Sequence, residues 1–215
     1  MKKEKLNIIY EDKHLIVVNK KSNLLTIADH NQQVNLYSQV YDYLKQKHKS
    51  NKVFIVHRLD KDTSGLIVFA KSEEVKKQLQ DNWEQTKRYY YAIVHGKVDK
   101  IKDTLNSYLA ETKTFLVYET SKNKGKLAIT NYELLKYNNK YSLLKIDIKT
   151  GRKNQIRVQL NNINHPILGD KKYGIKDNFK RLYLHAYYLE FIHPITSELI
   201  QLEIPYPVDF EKIIN

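Results

Sequence analysis

His57-Arg58-Leu59-Asp60-Lys61-Asp62-Thr63-Ser64-Gly65, followed by Leu66-Ile67-Val68-Phe69-Ala70, decides how this chain is read. The apolar runs on either side, Val53 to Val56 and Leu66 to Ala70, read as buried strands. The polar loop between them holds a His, an Arg, two Asp, a Thr and a Ser and closes at a Gly. A bare connection needs only a few turn residues, and loops held by rigid strands are where catalytic groups concentrate. Taken alone, Asp60 also suits a plainer role, capping a short turn through the amides of Asp62 or Thr63.

The pattern His-Arg-Leu-Asp-x-x-Thr-Ser-Gly, then an apolar strand ending in Ala70-Lys71, resembles the signature of pseudouridine synthases of the RluA type. A second stretch strengthens the resemblance: Thr150-Gly151-Arg152-Lys153-Asn154-Gln155-Ile156-Arg157-Val158-Gln159-Leu160, then His165-Pro166-Ile167-Leu168-Gly169-Asp170-Lys171-Lys172-Tyr173-Gly174. Arg88, Tyr90 and Ala92 fall on the family's basic residue, Tyr and Ala. Gly125-Lys126-Leu127-Ala128-Ile129-Thr130-Asn131-Tyr132 and Arg181-Leu182-Tyr183-Leu184-His185-Ala186 match two further patterns. The chain departs at Lys21 (family Pro), Asn23 and Asn164 (Gly), and Asn154 and Gln159 (His). Asn tolerates a left-handed backbone better than most residues, so the turn at Asn23 is expected to survive such a change. The resemblance runs from about Ile8 to Pro205.

Composition agrees with an RNA-facing protein. The 215 residues suit one large domain, taken as 1–215, with a sizeable core. The formal net charge of +13 points to nucleic acid or another anionic partner. There is no cysteine, which excludes disulfides, thiolate zinc sites and cysteine nucleophiles. No apolar run approaches the ~20 residues of a membrane span, and no signal-peptide pattern follows the basic start Met1–Lys5. No phosphate-binding glycine loop, metal-ligand spacing or dinucleotide fingerprint is present. A cytoplasmic monomer without cofactor or metal is the expectation. Family members often carry an extra N-terminal RNA-binding domain of the ribosomal-protein type, and this chain is expected to act without one.

Along the chain, Leu6–Tyr10 and His14–Asn19 read as neighbouring strands. Val34–His48 reads as a helix with Leu36, Val40 and Leu44 on its inner face. Ser72 is placed to cap a helix from Glu73 to Gln85 with Val75, Leu79 and Trp83 on one face. Arg88–His95 reads as a strand with Tyr90, Ala92 and Val94 on one side and Tyr89, Tyr91 and Ile93 on the other. Asp99–Lys126 shows no clear period and is given one short strand near Phe115–Tyr118. Tyr132–Leu135 and Ser142–Ile148 read as strands joined at Asn138–Lys140. If Gln155–Leu160 is helical, Arg152, Gln155 and Gln159 project to one side and Arg157 to another. The last strand is Leu199–Ile204, ended by Pro205 and Pro207.

The resemblance implies an α+β catalytic domain: a mixed, largely antiparallel sheet, flanking helices and a central, basic active-site cleft. It implies conversion of uridine to pseudouridine in structured RNA, a ribosomal RNA or a tRNA stem-loop. Asp60 is then the catalytic carboxylate. Arg157 holds it ionised by pairing, and Tyr90 stacks on the target uracil with its hydroxyl available for proton transfer. Arg58 braces the vacated place when the base flips out. His57, Arg152 and Gln155 bind the substrate through backbone or loop contacts. Arg157 also reads as an ordinary ion-pair partner within the fold, and the two roles overlap. The rival from another class is a non-catalytic RNA-binding or ribosome-assembly factor on the same scaffold. A nuclease using His57 and Asp60 lacks the several carboxylates of a two-metal site.

Overall fold

The structure, a computed structural model, describes residues 6–28 and 34–215. The basic start Met1–Lys5 lies outside them. The chain falls into two units, Met1–Thr86 with Leu189–Ile204, and Lys87–Tyr188 with Pro205–Asn215.

In the first unit, β1 (Ile8–Glu11) pairs with β2 (Leu15–Lys20). After α1 (Leu36–Lys47) come β3 (Phe54–Ile55) and β4 (Ser64–Ala70). β2 runs antiparallel to β4 from Leu15 opposite Ala70 to Lys20 opposite Gly65. All seven residues of β4 are buried, which is why its sequence is a continuous apolar run and not an alternation. α1 starts at a reciprocal cap between Asn35 and Ser38 and buries Leu36, Val40 and Leu44, the stripe expected from their spacing. α2 (Glu73–Asp81) starts at Ser72, whose hydroxyl accepts the Val75 N–H. This helix is shorter than expected. The Asn82 side chain and backbone N–H both donate to the Gln78 carbonyl and close the last turn. Trp83 therefore lies in a separate 3-10 turn, Trp83–Gln85. Glu11 ties the layers together, accepting from Lys71, Lys47 and the Tyr43 hydroxyl. Burial raises its carboxyl pKa, but those hydrogen bonds prevail and lower it to about 2.

The second unit is built on β5 (Lys87–His95), β6 (Lys102–Glu111), β7 (Val117–Thr120), β8 (Lys126–Tyr137) and β9 (Tyr141–Ile148), ordered β5-β9-β8-β6-β7. Every pairing in that row is antiparallel. α3 (Gln155–Asn162) contacts β6, β7 and β8. β10 (Leu184–Ile192) begins in this unit and ends in the first, where β11 (Leu199–Glu203) pairs with it. The turn between them is locked by buried His193, whose Nδ1 accepts the N–H groups of Ile195 and Thr196. That leaves Nε2 to donate to Asp12 at 2.9 Å. α4 (Val208–Ile214) closes the second unit with Phe210 fully buried.

The sequence gives no sign of β6, which fills the stretch expected to be polar and irregular. Its inward positions are Leu105, Ser107 and Leu109, all buried. The middle one is polar because it receives a side-chain hydrogen bond from α3, and this hides the alternation. α4 was not expected either, and seven residues are too few to show a helical period.

The asparagines that replace family glycines hold the backbone those glycines would. Asn23 and Asn164 both have φ of 62°. Gly169 has no such freedom: its φ is +71°, and an added Cβ would lie 1.8 Å from the Arg181 carbonyl oxygen.

His185 on β10 sets an acid limit on stability. Its burial, with the nearby Arg181 charge second, lowers its pKa to about 4. Between the ordinary histidine value of about 6.5 and about 4 the unfolded chain binds more protons, so stability falls as pH drops through that window. His185→Gln is expected to flatten the melting temperature between pH 6.5 and 4. An equally steep decline in the variant would remove His185 as the cause.

Candidate active site

The His57–Gly65 stretch leaves β3 through Val56 and enters β4 at Ser64, so the open loop is shorter than its sequence motif. Leu59 and Thr63 are buried and hold it down, Asp60 is half-buried and Arg58 is exposed. The turn is closed by backbone, with the Thr63 N–H on the Asp60 carbonyl at 3.2 Å. Gly65, at φ 116°, takes the chain into β4. His57 is braced twice. Its Nε2 accepts the Val68 N–H at 3.2 Å, and its ring stacks on Trp83 at 4.4 Å. Nε2 is thus unprotonated, and a neutral ring carries its proton on Nδ1.

Three side chains from Lys20 to Thr26 reach into this loop. The Lys20 ammonium donates to the Lys61 carbonyl at 2.9 Å, the Ser22 hydroxyl to the Asp62 carbonyl at 2.6 Å, and the Thr26 hydroxyl to the Leu59 carbonyl at 2.9 Å. Sequence reading assigned none of them a role. The signals were a lysine closing an apolar strand and the match of Lys20–Leu25 to the family's Lys-Pro-x-Gly-Leu pattern.

In the second unit, Tyr90 lies on β5 opposite Ile146 and is 8% exposed. It shares its buried face with Arg88, Ala92 and Val94, as the period of two requires. Tyr91 on the other face stacks on Tyr187 at 3.8 Å, and Tyr89 stacks on Tyr188 at 5.0 Å. The three adjacent tyrosines are therefore separated by geometry.

α3 sorts its polar residues the same way. Gln155 and Gln159 face the sheet. The Gln155 amide donates to Ile129 O and Thr130 Oγ1 and accepts from Thr150 Oγ1 and the Arg152 N–H. Gln159 donates to the carbonyls of Leu105 and Ala128 and to Ser107 Oγ, and accepts from Thr130. Gln155 thereby serves the fold. Its amide is engaged inside the unit. Arg152 is exposed, its Nε donating to Leu127 O.

Arg157 projects elsewhere, as expected for its position. It forms a two-point pair with Asp170: Nε to Oδ2 at 2.8 Å and Nη2 to Oδ1 at 2.7 Å. Both side chains are buried, 5% and 1% exposed. Asn154, left-handed at φ 53°, accepts from Nη1 at 3.2 Å and donates to the Tyr173 hydroxyl. The Tyr173 ring lies 5.2 Å from the guanidinium. Burial would raise the Asp170 pKa. The Arg157 pair and the Tyr173 and Lys172 N–H groups outweigh it and hold the carboxyl below its usual range. Asp170 was recognised as part of a motif and given no role. The structure makes it the residue that fixes Arg157.

Among the described residues, no group of three or more His, Asp or Glu side chains is placed to hold a metal ion, and no helix is long and apolar enough to cross a membrane.

An α+β fold and a net charge of +13 suit a protein that works on nucleic acid. The chain belongs to the RNA pseudouridylate synthase family, whose description matches residues 14–162. It is an RNA pseudouridine synthase, isomerising uridine in RNA. It is 36% identical over 214 residues to the uncharacterized RNA pseudouridine synthase YhcT of Bacillus subtilis, covering 97% of this chain and 71% of that protein. It is 34% identical over 229 residues to ribosomal large subunit pseudouridine synthase D of Haemophilus influenzae, covering 98% of this chain and 70% of that protein. Among solved structures, human RNA pseudouridylate synthase domain containing 4 shares the fold, with a TM-score of 0.81 at 24% identity over 95% of this chain and 90% of that one.

Proposed function

We propose that this enzyme modifies ribosomal RNA, with Asp60 as its catalytic carboxylate. The observation that carries the substrate class is the 34% identity to a large-subunit synthase over nearly the whole chain. The positive charge and the exposed lysines at 171, 172, 176 and 180 support a phosphate-bearing partner. Such a substrate supports a cytoplasmic location.

In the reaction the N1–C1′ bond of uridine breaks, the uracil turns, and a C5–C1′ bond forms. The proton on C5 leaves and N1 gains one, so the product is an isomer. The target base must first leave its stack, at a cost of a few kcal/mol. The exposed Arg58 is assigned to bracing the vacated place. Asp60 is assigned as nucleophile or base, and Tyr90 as the surface on which the uracil stacks. Arg157 is assigned to keeping Asp60 ionised. Its grip on Asp170 and Asn154 supports this role, since it fixes the direction of the guanidinium. Arg152 is assigned to a phosphate.

The test of substrate class is the pseudouridine content, by mass spectrometry, of ribosomal RNA and tRNA from cells lacking the gene, before and after incubation with the purified chain. Gain in the ribosomal RNA is expected. Gain confined to tRNA would overturn the ribosomal assignment and leave the chemistry standing.

A further inference from the structure

The turn between β6 and β7 presents an aromatic ring to water. Phe115 is 67% exposed, while the other five phenylalanines are buried or half-buried, and Leu116 beside it is exposed. Single exposed apolar residues are ordinary, but the backbone sets this one apart. Phe115 has a φ of 62°, in the left-handed region that strains a bulky residue. The other described non-glycine residues with positive φ are Asn23, Asn154, Asn164 and Ser197. Where only a turn is needed, the chain places a small polar residue. A phenylalanine at such a position calls for a reason in its side chain.

The turn is built to hold that strain. The Thr112 N–H donates to the Leu116 carbonyl at 2.8 Å, the Phe115 N–H to the Thr112 carbonyl at 3.0 Å, and the Leu116 N–H to Thr112 Oγ1 at 3.1 Å. Its foot is tied to the segment after α3. Lys172 Nζ donates to the Phe115 carbonyl at 2.7 Å, and the Val117 N–H to the Tyr173 hydroxyl at 3.0 Å. Cations gather around the ring. Lys153 Nζ stands 4.9 Å from its centroid. Lys172 spends one N–H on the turn and an ammonium has three. Lys113, two positions away, is exposed. The acidic group beside them, Glu111, pairs with Lys153 at the surface, and such a pair is weak enough for a phosphate to replace. A fixed aromatic ring among ammonium groups suits a nucleotide, whose base stacks and whose phosphate is anionic. The turn Thr112–Leu116 is too small for a stable protein partner, which needs about 800 Å² on each side.

We propose that the β6–β7 turn is an RNA contact: Phe115 stacks on an unpaired base, and Lys113, Lys153 and Lys172 take the phosphates on either side of it. The turn meets the base already ordered, so little conformational entropy is lost on binding. This deepens the proposed function by naming a contact for the RNA outside the residues assigned to the reaction. It rests on RNA as the substrate and not on which RNA that is.

The test uses the full chain and filter binding to ribosomal RNA and to tRNA, each from cells lacking the gene, over a range of salt concentrations. Phe115→Asn removes the ring and relieves the left-handed strain. It is expected to melt no lower than the parent and to raise Kd about tenfold or more. Phe115→Trp keeps a stacking surface and is expected to bind within about threefold of the parent. Lys113→Gln is expected to weaken binding and to lower the slope of log K against log salt by about one. The RNA that is bound reports the ribosomal assignment, and the ratio of variant to parent affinity on that RNA reports the turn, so the two readings fail separately. Phe115→Asn binding as tightly as the parent overturns the inference, and so does Phe115→Trp binding as weakly as Phe115→Asn. A parent dimer that Phe115→Asn converts to a monomer in sedimentation, with RNA binding unchanged, would overturn it too and give the turn to a second copy of this chain.

Discussion

Asp60→Asn is expected to bind RNA with the affinity of the parent chain and to lose about 1,000-fold or more in kcat. The amide has the shape of the carboxylate and none of its charge or basicity. It sits on a loop whose backbone is held by Lys20, Ser22, Thr26 and Thr63, none of which contacts the Asp60 side chain through the bonds that do the holding. The substitution keeps those backbone bonds and removes the charge of the group proposed to react. Filter binding together with release of tritium from C5-labelled RNA separates the two quantities. Weakened binding in parallel with lost turnover would make Asp60 a binding residue and favour an RNA-binding factor on this scaffold.

Asp170→Asn is expected to lower stability by about 3–5 kcal/mol, the range for breaking one side of a buried ion pair, or roughly 6–20 °C in melting temperature for a chain of this size. The reason is the enclosure of Arg157, whose guanidinium would be left buried with one anionic partner removed. Arg157→Met is expected to be milder, because the Asp170 carboxylate would still accept the N–H groups of Lys172 and Tyr173. The double variant Arg157→Met with Asp170→Leu is expected to lose less than the sum of the single losses, since no buried charge then remains. Additive losses would mean that the pair is not coupled. Because the Asp170 pKa is lowered in the fold, its contribution is complete above about 3.9, the unfolded value, and fades as pH falls through the folded one. Activity adds a second readout: Asp170→Asn should reduce kcat in the surviving folded fraction, because the arginine assigned to Asp60 loses its hold.

What the sequence shows and hides follows from where each constraint lies. β4 and α1 were legible because their partners are water and a core, and burial writes itself as an apolar run or a stripe. The facing of Arg157 away from Gln155 and Gln159 was legible for the same reason, since helical spacing alone decides it. β6 was hidden because Ser107, an inward position, is polar to serve Gln159 on another element. Trp83 read as a helix-face residue because the Asn82 capping bonds that end α2 before it are local and unpatterned. The partners of the site were hidden most. Lys20 meets the Lys61 carbonyl across 41 positions, and Asp170 meets Arg157 around a turn. Motif matching named Asp60, Tyr90 and Arg157. It could not show that Gln155, in the same motif, serves the fold, because that depends on Thr130 and Ile129 lying beside it.

The most direct test of the central claim is tritium release from RNA labelled at uridine C5, using purified chain in a chelating buffer with no added cofactor. The C5 proton leaves in this isomerisation and stays in place if RNA is merely bound. Release matched by an equal amount of pseudouridine, with none from Asp60→Asn, is the predicted result. No release from ribosomal RNA or tRNA that the chain demonstrably binds, or equal release by Asp60→Asn, would contradict it.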